Sequence, residues 1–168
     1  MSNLMKFFTA VNAIWLGLIL RIAVAFWNSF FGPSFGAAND AAGFHEGAVA
    51  YSKGLNFSFY HSDVYIYVMG NTFYRWINDS LFFGCFLSCM TWLASSFVLL
   101  KTMRLLSLNA SSQFQAMFIY GMLPSSILIT SVTLRESYQL FALNLAIYYA
   151  LRIYMNKATI YWALLLAA

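Results

Sequence analysis

Ionisable side chains are scarce in this chain: nine Lys and Arg, five Asp and Glu and two His stand among 168 residues. Asp40, His45, Glu46, His61 and Asp63 fall within one stretch, and Arg135 is followed directly by Glu136. Carboxylates beside imidazoles can move protons, and the two together suit a divalent cation such as Mg or Mn. A guanidinium can stabilise charge on a departing phosphate. Asp40 opens a helix-forming run, where the helix dipole favours its anion. A cap and a general base are both open to it. Arg135 can bind a phosphate, lie along the apolar surface, or pair with Glu136. His61-Ser62-Asp63 and His45-Glu46 could supply metal ligands, although their spacing is not diagnostic and solvated loop polarity explains them too. No Walker-type loop, paired-Cys metal motif or Gly-x-Ser-x-Gly elbow is present.

The elements that must position these groups follow from composition. The chain is 62% hydrophobic and 8% charged, against roughly a quarter charged in soluble domains. Residues 7–31 and 80–100 are each long enough to cross the hydrocarbon layer, which takes roughly 20 helical residues. The expected fold is an all-α integral membrane protein, a multi-span helical bundle forming a single transmembrane domain over residues 1–168. Its spans are expected at about 7–31, 80–100, 113–130 and 137–154, with an incomplete span at 158–168. That last run rises only about 16 Å as a helix, so a further C-terminal portion or a membrane partner subunit is expected to complete it. Residues 7–31 are too long for the apolar core of a signal peptide and contain Arg21, so they read as a retained anchor.

Lys6, then Lys101 with Arg104, then Arg152 with Lys157, alternate correctly if all are cytoplasmic. The N-terminus is then inside a bacterial or archaeal cell membrane, and residues 32–79 form an outer loop. Scattered basic residues give no nucleic-acid footprint despite the net charge of +4. Cys85 and Cys89 read as packing residues inside a helix. Within the outer loop, Asn39-Asp40 would cap a helix over 41–53 that ends at Gly54. The aromatic stretch 57–76 suits a second juxtamembrane amphipathic helix near headgroup level.

Ala10, Gly17, Arg21 and Asn28 share one face of the first span. Ser80, Gly84, Ser88, Thr91 and Ser95 form a small-residue stripe on the second, which favours close helix packing in lipid. Pro124 removes a backbone donor and should free a carbonyl and kink the third span. Arg21 is costly at membrane depth. An ion pair with Asp40 or Glu136, snorkelling, and contact with a substrate phosphate are its open readings.

Two motifs resemble a known family. Asn39-Asp40-Ala41-Ala42-Gly43-Phe44-His45-Glu46-Gly47-Ala48, with Tyr51 and Gly54 beyond, resembles the first outer loop of the GT-C superfamily. Leu123-Pro124-Ser125-Ser126 through Ser131-Val132-Thr133-Leu134-Arg135-Glu136 resembles the junction of the third and fourth helices in its bacterial members. The likeness covers most of the layout but about two dozen residues of motif. It implies a glycosyltransferase of the cell envelope that moves a sugar from a polyprenyl-phosphate donor to a lipid-linked or protein acceptor. By that resemblance Asp40 is the acceptor-activating or metal-associated carboxylate, and Arg135 and Glu136 line the same outer cavity. Asp40 and Glu136 are therefore the catalytic candidates and Arg135 and Arg21 the phosphate-binding ones. His45, Glu46, His61 and Asp63 are the candidates for lining the substrate. The family usually has eight or more spans, so the chain would be its N-terminal part or a short relative. The alternative from the residues themselves is a non-catalytic subunit packed in a larger membrane complex.

Overall fold

The computed structural model describes residues 9–32, 38–55 and 63–155. The expected incomplete span at 158–168 lies outside them. Among the described residues the protein is an all-α bundle without strands. α1 (Ala10–Phe30) starts where the Thr9 hydroxyl accepts from the Asn12 amide. α4 (Leu81–Leu105) starts in the same way at Ser80. These two helices, 21 and 25 residues long, are long and apolar enough to cross a membrane. α5 (Ala110–Met122) is capped by Asn109, whose side chain accepts from the Ser112 amide. The expected third span is split: α5 ends at Met122, Leu123 is extended, and α6 (Pro124–Thr130) restarts with proline at its first position. Proline is well placed there, because a helix's first amides lack intrahelical partners anyway. α7 (Glu136–Tyr154) follows a short turn at 131–135.

Between α1 and α4 lie α2 (Ala38–Ser52) and α3 (Asp63–Val68), which runs into a π-helical turn, Met69–Tyr74. The expected cap at Asn39-Asp40 is corrected: the helix begins at Ala38, and Asp40 lies inside its first turn. Its expected end holds. Gly54 has φ +76°, and its amide and that of Leu55 bond back to Tyr51 and Ala50, the paired closure that favours glycine just past a helix.

α4 packs most extensively on α7, and α1 packs against α5, α4 and α6. The larger core joins Ile14 and Leu18 of α1 with Cys89, Trp92 and Leu100 of α4 and Met117 of α5. Both cysteines are buried free thiols. Polar side chains fasten the same layer. The Asn144 amide of α7 donates to Ser95 Oγ of α4 at 2.8 Å, and Ser95 Oγ lies 3.2 Å from the Tyr120 hydroxyl of α5. A second core gathers Phe44 and Ala48 of α2, Ile66 and Met69, Tyr74, and Val132 and Leu134 of the 131–135 turn. It closes the end of the bundle where α1 stops and α4 and α7 start.

Candidate functional site

Arg21 is the most constrained charged residue described. It is 0% exposed. Its Nε donates to Thr130 Oγ1 at 2.8 Å, and its Nη1 donates to the carbonyls of Gly17 (3.0 Å) and Gly121 (2.8 Å). Nη2 donates to Ser126 Oγ at 3.0 Å, and the guanidinium carbon sits 3.6 Å from the centre of the Trp92 ring. The reason lies at Pro124. A helix leaves its last carbonyls unsatisfied and carries partial negative charge there. The break after Met122 strands the Gly121 carbonyl inside the bundle, and the cation fills it. Small residues admit the side chain: a Cβ on Gly17 would lie 2.8 Å from Trp92 Cη2 and 3.3 Å from the Gly121 Cα. Arg21's hydrogen-bond partners are carbonyls and hydroxyls, and neither Asp40 nor Glu136 is among them. It clamps α1 onto the α5–α6 break.

The other candidates gather near the second core. The π-turn matters here. Arg75 N donates to Gly70 O at 2.9 Å, five residues back, and the extra residue in the turn brings Tyr74 onto the buried face with Ile66 and Gly70. Such turns often mark functional sites. The Tyr74 hydroxyl reaches 3.0 Å from His45 Nδ1 and sits against Gly84, where a Cβ would overlap both this hydroxyl and the Thr133 methyl. Burial lowers the His45 pKa from its usual value, with Asp79 and then Glu46 acting in the opposite direction. Burial also raises the Tyr74 pKa far above the ordinary range, so Tyr74 stays a neutral phenol and His45 favours the neutral imidazole.

The Thr133 hydroxyl donates to the Ala41 carbonyl at 2.7 Å. This bond ties the first turn of α2, which carries Asp40, to the turn that leads into Arg135 and Glu136. Asp40 and Glu46 are exposed, while His45, Arg135 and Glu136 are half-buried. Oε2 of Glu136 is nonetheless enclosed and has no hydrogen-bond partner. His61 lies outside the described residues, as does the side chain of Asp63, whose backbone starts α3. Among the described residues no group of three or more His, Cys, Asp or Glu side chains could hold a metal ion.

Beside the clamp, an apolar groove of about 510 Å³ runs along the outside of α1 and α6. Leu20, Ala23, Val24 and Trp27 form one wall, and Pro124, Ile127 and Leu128 form the other. Both sets follow helical i, i+3, i+4 spacing, so each wall is one helix stripe.

Reading by residue type does not single out Tyr74 or Trp92, nor the solitary state of Asn28. Asn28 is 8% exposed, and neither atom of its carboxamide has a hydrogen-bond partner. The sequence signal for Arg21's setting was Pro124 together with Gly17 and Gly121. No comparable signal announces the π-turn. Comparison with known protein families, with curated proteins and with solved structures finds no match.

Proposed function

We propose that the bundle is embedded in a membrane, with α1 and α4 as spans. In this reading it acts in transfer of a sugar from a polyprenyl-phosphate donor to a lipid-linked or protein acceptor at the outer face. The membrane setting is supported by large apolar side chains left on the outside of α1, α5 and α7, among them Trp15, Ile19, Phe30, Ile119 and Leu143. So much exposed apolar surface is unusual for a protein dispersed in water. The transferase reading rests above all on the bond between Thr133 and Ala41. It joins the segment of Asp40 to that of Arg135 and Glu136 at one end of the bundle, next to which a lipid-facing groove runs.

In this reading Asp40, exposed on the first turn of α2, takes or orients the acceptor proton. Glu136 is the second carboxylate, and Arg135 meets the donor phosphate. Arg21, whose donors are engaged by the protein, positions α6 and leaves the phosphate to Arg135. The groove takes the donor's apolar tail. His45 and Glu46 line the acceptor side. Replacing Asp40 with Asn should abolish sugar transfer in reconstituted membranes while the amount of folded protein stays normal. Undiminished transfer would remove Asp40 from the mechanism.

The alternative, a non-catalytic subunit in a larger complex, draws on the small-residue stripe of α4. That stripe is already used inside the chain, with Gly84, Ser88 and Ser95 buried and Gly84 packed against Tyr74 and Thr133. The outward apolar faces of α5 and α7 remain its support. A stable lone monomer in mild detergent would count against it.

A further inference from the structure

Asn28 lies two turns beyond Arg21 on the same face of α1, and one turn beyond Val24, which lines the groove. By the rise of a helix it is about 10 Å farther toward the C-terminal end than Arg21. Arg21 is bonded to Thr130, so that step brings Asn28 to the level where the 131–135 turn closes the bundle. Its carboxamide is more than nine-tenths buried, with donor and acceptor both unpartnered. Buried polar groups are nearly always paired, and each exception calls for an explanation. Glu136 Oε2, at the start of α7, is a second enclosed and unpartnered polar atom toward the same end of the bundle.

The chemistry of Asn28 is selective. A carboxamide offers both donors and acceptors. A phosphate oxygen could satisfy the Asn28 amine but would leave its carbonyl oxygen bare. A hydroxyl both donates and accepts, so a group bearing several of them satisfies both ends of the carboxamide. We propose that Asn28 is a binding residue for the hydroxylated head of a lipid whose chain lies along the α1–α6 groove, and that it distinguishes a sugar-bearing head from a bare phosphate. This rests on the lipid-linked sugar reading above and adds to it the residue that recognises the sugar.

The test uses the full chain in lipid nanodiscs with two probes, polyprenyl-phosphate hexose and polyprenyl phosphate. The wild-type protein should bind the sugar-bearing lipid about tenfold more tightly or better, the scale of one or two hydrogen bonds to otherwise orphaned groups. Asn28→Leu should bring that preference to within about twofold while binding of polyprenyl phosphate stays unchanged. Its thermal stability without ligand should equal or exceed that of wild type, since an orphaned amide is gone. If the leucine variant fails to assemble, Asn28→Asp keeps the shape, exchanges a donor for an acceptor, and should weaken the preference likewise. A preference retained in a folded Asn28 variant, or absent from the wild-type protein, overturns the assignment and leaves the lipid-sugar reading standing. Failure of the wild-type protein to bind either lipid overturns both.

Discussion

Replacing Arg21 separates a structural clamp from a ligand site. Arg21→Ala leaves the Gly121 carbonyl buried without the donor that now meets it at 2.8 Å, a cost of about 1–3 kcal/mol. Thr130 Oγ1 and Ser126 Oγ lose less, because Thr130 Oγ1 also donates to the Ser126 carbonyl at 2.6 Å. The void left over Trp92, which is itself 0% exposed, adds about 2–5 kcal/mol by the scale of large-to-small core changes. Relief from burying a guanidinium offsets several kcal/mol of this. The net expectation is a loss of about 2–4 kcal/mol, or a fall of roughly 5–15 °C in melting temperature for a chain of this size. Arg21→Met fills most of the volume and leaves mainly the carbonyl, so its loss should be about 1–2 kcal/mol. Arg21→Lys keeps the charge but cannot present a planar fork to Thr130, Gly121 and Ser126 together while stacking on Trp92. It should therefore be less stable than the methionine variant. The assay is thermal unfolding in one detergent or nanodisc, with hydrogen exchange across residues 119–127 to locate the loosening. A lysine variant as stable as wild type, or an alanine variant with an unchanged melting temperature, would refute the clamp. A variant that lost only lipid-phosphate binding would point instead to a ligand role for Arg21.

Gly17→Leu should disrupt the approach of α1 to Trp92 and Gly121, where even a Cβ would stand 2.8 Å from the indole; a loss of about 1–3 kcal/mol in unfolding experiments is expected. Gly84→Ala should detach the π-turn, because a Cβ there overlaps the Tyr74 hydroxyl, and hydrogen exchange should rise over residues 69–75 while α5 stays protected. His45 has a folded pKa below its unfolded value, with burial as the main cause. Its contribution to stability is therefore complete above pH about 6.5 and is lost as pH falls through the lower folded value. Melting temperature followed from pH 7.5 to 5 should drop on the acid side, and His45→Gln should flatten that drop. An equal drop in the variant would place the titrating group elsewhere.

Much of the candidate site's framework is legible in the residues, for reasons that can be named. The face holding Ala10, Gly17, Arg21 and Asn28 follows from helical periodicity, and all four are buried on α1. Pro124 predicts the break because it lacks an amide hydrogen, and the third segment is split there. Gly54 predicts the end of α2 because that closure needs a positive φ. Asp40 is a different case. Asn39-Asp40 looks like a cap, yet the helix already includes Ala38 and Asp40 lies within its first turn. The partners of Arg21 were not legible either. Charge alone suggests a carboxylate, while the actual partners are the Gly17 carbonyl one turn back and, 100 or more residues away, a helix-end carbonyl and two hydroxyls.

Taken alone, the order of residues determined the helical class, the apolar lengths of α1 and α4, which faces turn inward and where the chain must break. These properties depend on local sterics, backbone donors and a period of 3.6 residues, so neighbouring residues suffice to specify them. Only the tertiary structure decided that Arg21 is held by neutral groups, that a π-turn carries Tyr74 to His45, that Thr133 draws the segment of Asp40 to that of Arg135, and that Asn28 is enclosed without a partner. Those outcomes depend on which faces meet, and therefore on side chains far apart in sequence competing for the same buried space.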